Sequence, residues 1–287
     1  MGFSLSDIAE ITKTMDVASC ANIKQQRVAI LALEASLLSQ QQIEIPPTHL
    51  MHGGMYARAV TVPAGTLLTG NIYKFDHIEV MTNGKILVTT DDGQSRQLSG
   101  FNMMPALSGK KRAAYAIEET TWITFHTVGN TENIEPDDIQ DRITCETFED
   151  LEQFYCDVSR ADYQAFLDQQ GWSEEQVLAV VQSLNDYDDS LKCSDFDVDL
   201  RDSKIHGKGM FALTNFKASD VIMPARINNF RTQAGRYINH AVRANAEFID
   251  DGANMICVAT KSIGTDEEIT VNYRQVMNWR SQIGDLL

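Results

Sequence analysis

The sequence predicts a protein of mixed α and β structure, mainly β, with two β-rich regions joined and preceded by helices. Three observations predict it. From Tyr56 to Val128, short runs of β-branched and aromatic residues alternate with turn signals. Residues 4–42 and 132–192 instead carry apolar residues at spacings of three and four, and beyond Cys193 the β texture returns. With 287 residues, of which 43% are hydrophobic and 22% charged, the chain has material for more than one core and fits two domains.

The formal charge of -16, from 40 acidic against 24 basic residues, speaks against broad contact with nucleic acid or anionic lipid, whose phosphates need clustered Lys and Arg. A basic protein partner suits it better. Cys20, Cys145, Cys156, Cys193 and Cys257 are odd in number and include no Cys-x-x-Cys pair, so they read as free thiols in a reducing compartment. No basic leader with an apolar stretch opens the chain, and no run of about 18 apolar residues occurs. The expected address is the cytoplasm, away from membranes.

In chain order, residues 1–45 form a helical segment. Ser6 and Asp7 can cap a first helix bearing Ile8, Ile11 and Met15. A second, from about Asn22 to Gln42, places Val28, Leu31, Ala32, Ala35 and Leu38 on one stripe. That stripe either packs on its own domain or joins copies into a homo-oligomer. Pro46-Pro47 ends the helix. The β-like runs that follow are Tyr56 to Val62, Thr66 to Tyr73, His77 to Thr82, Lys85 to Thr90, Gln94 to Leu98, Arg112 to Ile117 and Thr121 to Thr127. Asn83-Gly84 and Asp91-Asp92-Gly93 predict hairpin turns.

Residues 46–131 resemble a cupin, the small jelly-roll barrel family, with Val62-Pro63-Ala64-Gly65-Thr66 as opening strand-turn, His77 to Gly84 as first motif and Pro105 to Ala114 as second. In metal-binding cupins these motifs supply histidines and a carboxylate. Here Tyr73 and His77 stand where ligands are sought, and Lys110-Lys111-Arg112 occupies the region of the second-motif histidine. A metal needs three or four converging donors, and His77 has no evident histidine partner in the barrel. His49 and His52 read as loop histidines. The expectation is a metal-free barrel for assembly or binding; a metal-dependent cupin enzyme would need metal bound near His77.

Residues 132–194 read as a helical connector. Pro136-Asp137-Asp138 makes a good first turn, and Phe148, Leu151, Phe154 and Tyr155 form a stripe. Asp162 to Gln169 gives another, ending at Gly171. Ser173, matched by Gln176, opens a further helix with a capping box, its apolar face being Val177, Val180, Val181 and Leu184.

Residues 195–287 turn to β: Val198 to Ser203, Met210 to Ala212, Asp220 to Met223, Asn254 to Ala259 and Glu268 to Asn272, with Gly207-Lys208-Gly209 as a turn. Three ordered motifs stand out: Gly207-x-Gly209-x-Phe211-Ala212; Arg236-Tyr237-Ile238-Asn239-His240 with Asn245 beyond; and Asp266-Glu267-Glu268-Ile269-Thr270-x-Asn272-Tyr273. Together they resemble the SET domain, whose members bind S-adenosylmethionine and methylate protein lysines. The resemblance implies a small SET-like β domain beside the cupin-like jelly-roll barrel. It places Gly207, Lys208, Gly209, Asn239 and His240 against the cofactor, makes Tyr273 the active-site tyrosine with Tyr237 lining the lysine channel, and assigns Glu267 and Glu268 to local structure. The residue types suit that chemistry: glycines let the backbone approach a ligand closely, and a phenol with a pKa near 10 orients an amine without ionising.

The sequence also departs from the family pattern. Ala241 follows His240 where Ser or Thr is common, Arg243-Ala244-Asn245 replaces a Pro-Asn ending, and Asp266 stands where Gly is common. Gly235 follows Ala212 by only 23 positions, and no cysteine cluster follows Tyr273. Either another element completes the substrate groove, or the fold is kept without catalysis in a structural or binding protein that assembles as a homo-oligomer. The economical domain sizes are in the style of a phage-encoded protein.

Overall fold

The computed structural model describes residues 23–90, 95–129, 134–183, 187, 190–250, 252 and 254–276. The helix expected around Ser6 to Met15, Cys20, the Asp91-Asp92-Gly93 turn and Leu184 lie outside them. The structure is mixed α and β, mainly β, and divides into two units, Met1–Leu151 and Glu152–Leu287.

In the first unit, helix α1 (Ile23–Leu38) precedes β1 (Thr48–His52), β2 (Met55–Val62), β3 (Leu67–Thr69), β4 (Ile72–Tyr73), β5 (His77–Thr89), β6 (Ser95–Ser99), β7 (Asn102–Ala106) and β8 (Ala113–Thr127). Helix α2 (Pro136–Ile143) and the short β9 (Thr144–Cys145) follow, β9 pairing with β4. Seven strands form one antiparallel sheet in the order β1-β2-β8-β5-β6, with β3 on β8 and β7 on β5. Its path is open at β1 and β6. Glu34 fastens α1 to the sheet by accepting from Thr69 at 2.8 Å and pairing with Lys111 at 2.7 Å.

Asn83-Gly84 is not a hairpin. The chain runs through it as the single strand β5, and the expected pair of strands at 112–127 is likewise continuous as β8. Gly84 takes φ +96°, and a Cβ on it would overlap the Glu119 carbonyl and Thr120. The pairing register against β8 slips between Met81 and Ile86: Glu79 faces Thr124 whereas Val88 faces Ala114. A one-residue slip exchanges the two faces of a strand, so this bulge lets His77 and Glu79 before it share a face with Ile86 and Val88 after it.

Helix α3 (Phe148–Gln170), a single helix where two stripes were read, belongs to the second unit from Glu152 onward and stops at Gly171, whose φ of +69° suits a glycine C-terminal cap. Helix α4 (Glu174–Gln182) carries the expected capping box: Ser173 accepts from the Gln176 amide, and Gln176 accepts from that of Ser173. Two sheets follow. One joins β10 (Val198–Asp202), β11 (Lys208–Ala212), β17 (Glu268–Val271) and β14 (Asn239–His240), the last parallel to β17. The other joins β13 (Phe230–Arg231), β12 (Val221–Ile227), β16 (Met255–Ala259) and β15 (Ala246–Asp250), and a one-turn helix, α5 (Gln233–Tyr237), precedes β14. Met210, Met223, Ile263, Ile269 and Val271 are fully buried in this unit's core. Cys145, Cys156, Cys193 and Cys257 are free thiols.

Candidate functional site

Parallel pairing of β14 with β17, Asn239 opposite Thr270 and His240 opposite Val271, brings two of the three sequence motifs side by side. The first motif is tied to them through Asn239. Its buried amide nitrogen donates to the carbonyls of His206 and Lys208, both at 3.1 Å, and to Glu268 Oε1 at 2.8 Å. Glu268 also accepts from Ser203 at 2.8 Å. Burial raises its carboxyl pKa, against the opposing pull of Asn239 and Ser203. Glu267 likewise holds structure, accepting from Gly264 N–H at 2.9 Å and Asn245 at 3.2 Å.

Gly209 owes its identity to this network. A Cβ there would overlap the Glu268 carboxylate, and Gly209 does not reach the cavity below. Gly207 is different: its φ is +49° and nothing occupies the space where its Cβ would stand. Asp266 holds φ +64°, a left-handed conformation that glycine adopts without strain, and is fastened there by Arg201 at 2.6 Å.

Both ring nitrogens of His240 are engaged. Nδ1 accepts the backbone N–H of Tyr273 at 3.1 Å, so the proton sits on Nε2, which donates to Asp162 Oδ2 at 2.9 Å. Burial lowers its pKa, partly offset by Asp162. Asp162 also accepts from Arg274 at 3.0 Å, the contact that most depresses its own pKa. The Tyr273 hydroxyl donates to the Ile238 carbonyl at 2.8 Å, and burial raises its pKa well above that of a free phenol.

Beside this network lies a cavity of about 530 Å³. Gly207, Lys208, Tyr237, Asn239, His240 and Tyr273 all contribute; the Lys208 ammonium itself pairs with Asp202 at 2.7 Å. Other walls come from α3 and α4 and the turn between them, with Tyr163, Phe166, Trp172 and Leu178. The connector helices thus contribute one wall of the cavity. Asp162, Tyr163 and Trp172 went unrecognised as site residues, because polar and aromatic positions on an amphipathic helix and in the turn that follows it read as an ordinary surface.

A family model described as SET domain matches residues 59–274. No curated protein matches the chain. Among solved structures, it is similar to a cupin superfamily protein from Desulfitobacterium hafniense, 16% identical, covering 33% of this chain and 86% of that one at a TM-score of 0.27. KdgF from Halomonas sp. is 21% identical over 34% and 90% of the two chains at 0.28. A cupin domain from Bordetella pertussis is 16% identical over 31% and 97% at 0.26.

Proposed function

Because the chain belongs to the SET-domain family, we propose that its second unit transfers a methyl group from S-adenosylmethionine to lysine side chains of a protein substrate. One observation carries the reading: residues from three separate motifs, Gly207-Lys208, Tyr237 to His240 and Tyr273, line a single cavity of about 530 Å³. That volume lies in the range of about 300–1,000 Å³ usual for cofactor and small-molecule pockets. The donor set fits the cofactor too. The open space at Gly207 leaves room for a ligand against the backbone, and Arg236, which also lines the cavity, has a buried Nε–H without an acceptor, suited to a carboxylate. Gly207, Lys208, Asn239, His240 and Arg236 are the residues that would hold it.

S-adenosylmethionine, when bound, supplies a methyl group on a sulfonium, open to in-line displacement by an amine. The protein's task is then positioning. Tyr273, held as a donor to the Ile238 carbonyl and kept protonated by burial, retains oxygen lone pairs to accept from the lysine amine. Lysine must arrive neutral, which costs roughly 4–5 kcal/mol at pH 7 from a reference pKa of about 10.4. The apolar lining, with Phe166, Leu178, Phe248 and Met255, disfavours the ammonium form. Glu174, the acid among the lining residues, is bound to His206 at 2.8 Å.

The charge of -16 favours a substrate segment rich in basic residues. Free thiols suit action in the cytoplasm, and among the described residues no helix is long and apolar enough to cross a membrane. The first unit serves assembly or binding: Val28 and Leu38 of α1 are 68% and 69% exposed, a surface for a second copy that light scattering would detect as a homo-oligomer. The catalytic reading is tested with isotope-labelled S-adenosylmethionine and a panel of lysine-rich proteins, read by mass spectrometry. Label on lysine that disappears with Tyr273→Phe is expected; no label on any protein with the wild type returns the chain to the non-catalytic, assembly-only reading.

A further inference from the structure

The first unit contains a second cavity, of about 380 Å³, on the sheet face created by the β5 bulge. Its walls are apolar in large part, with Val60, Val62, Ile86, Val88 and Trp122, yet its polar members are strongly biased in charge. Arg58, Lys110 and Arg112 line it against a single carboxylate, Glu79. Arg112 neutralises that carboxylate at 2.6 Å and donates to the Thr89 carbonyl at 2.7 Å. Arg58 forms no ion pair among the described residues. The lining therefore carries uncompensated positive charge beside an apolar body.

His77 supplies the independent sign of a ligand. It is 7% exposed, and its Nδ1 lies 3.2 Å from the Phe75 carbonyl, to which it can only donate. Nε2 is therefore a bare acceptor, and it is buried without a hydrogen-bond partner. Burying a polar atom without a partner costs on the order of 1–3 kcal/mol, which a ligand hydroxyl or amide N–H would offset. Among the described residues no group of three or more His, Cys, Asp and Glu is placed to hold a metal ion.

We propose that this cavity binds a small organic carboxylate: the anion beside Arg58, an apolar body on the aliphatic walls, and a donor group reaching His77 Nε2. The proposal is independent of methyl transfer, since every residue it uses lies in the first unit.

Calorimetric titration of the full chain with benzoate, 3-hydroxybenzoate and octanoate tests it, with benzamide as the uncharged comparison and phenyl phosphate as the alternative anion. Saturable binding of at least one carboxylate is expected, together with at least tenfold weaker binding of benzamide and of phenyl phosphate. Arg58→Gln, checked for an unchanged unfolding midpoint, should weaken carboxylate binding tenfold or more. His77→Phe should erase any advantage of 3-hydroxybenzoate over benzoate. No binding by any carboxylate, equal binding of benzamide, tighter binding of phenyl phosphate, or undiminished binding by a folded Arg58→Gln variant would each overturn the proposal.

Discussion

Tyr273 receives constraints from both directions: its backbone N–H is held by His240 and its hydroxyl by the Ile238 carbonyl. Tyr273→Phe keeps the first and removes the second, so the expected stability loss is about 1 kcal/mol while methyl transfer falls far below the wild-type rate, measured by denaturant unfolding beside the labelling assay. In the first unit, His126 stacks on His77 at 4.5 Å with both ring nitrogens buried and unpartnered. Burial, then the nearby His77 and Arg58, push its pKa down from 6.5 to about 3. The folded state therefore resists a proton that the unfolded chain accepts below about 6.5, so this contribution to stability is complete above that pH and is lost as pH falls towards 3. Tyr56 and Tyr73, the other rings packed on it, do not titrate in that window. His126→Phe should reduce the pH dependence of the unfolding midpoint between these values, the part left belonging to His77, whose pKa burial also lowers. Gly207, Asn239 and Tyr273 were legible from sequence because their motifs occur in order. Asp162 and the bare Nε2 of His77 were not, since a contact made across the fold leaves no local spacing.

At the scale of elements, the Asn83-Gly84 pair shows why a strong local signal can mislead. The dipeptide satisfies a hairpin turn, yet β8 offers partners on both sides of it, and continuing the ladder through a net one-residue slip satisfies more backbone groups than turning back. Gly84→Ala would combine φ +96° with an overlap on the Glu119 carbonyl, so a loss of roughly 2 kcal/mol or more is expected by chemical unfolding. Asp266 gives the opposite case. Its left-handed φ of +64° is a backbone that glycine adopts without strain, and its ion pair with Arg201 is mostly solvent-exposed and so worth little. Asp266→Gly should stay within about 0.5 kcal/mol of wild type, whereas Asp266→Val should lose about 1–2 kcal/mol. The helix caps at Ser173 and Gly171 were readable directly, because both are local: a side chain three residues from its partner, and a glycine where the chain must turn left-handed.

For the whole molecule, the mixed, mainly β class and the alternation of helical and β stretches followed from hydrophobic periodicity, whereas the open sheet and the use of connector helices as a cavity wall depend on long-range pairing that periodicity cannot report. The second unit couples both sources: β motifs supply Gly207, Asn239 and Tyr273, while α3 and α4 supply the facing rings. The proposed binding of S-adenosylmethionine in this cavity is read out by calorimetric titration of the full chain with that cofactor. Stoichiometric, saturable binding is predicted for the wild type. Gly207→Asn, whose side chain tolerates the left-handed backbone yet fills the open space, should weaken it at least tenfold with the protein still folded. No binding by the wild type, or unchanged binding by Gly207→Asn, would contradict the claim.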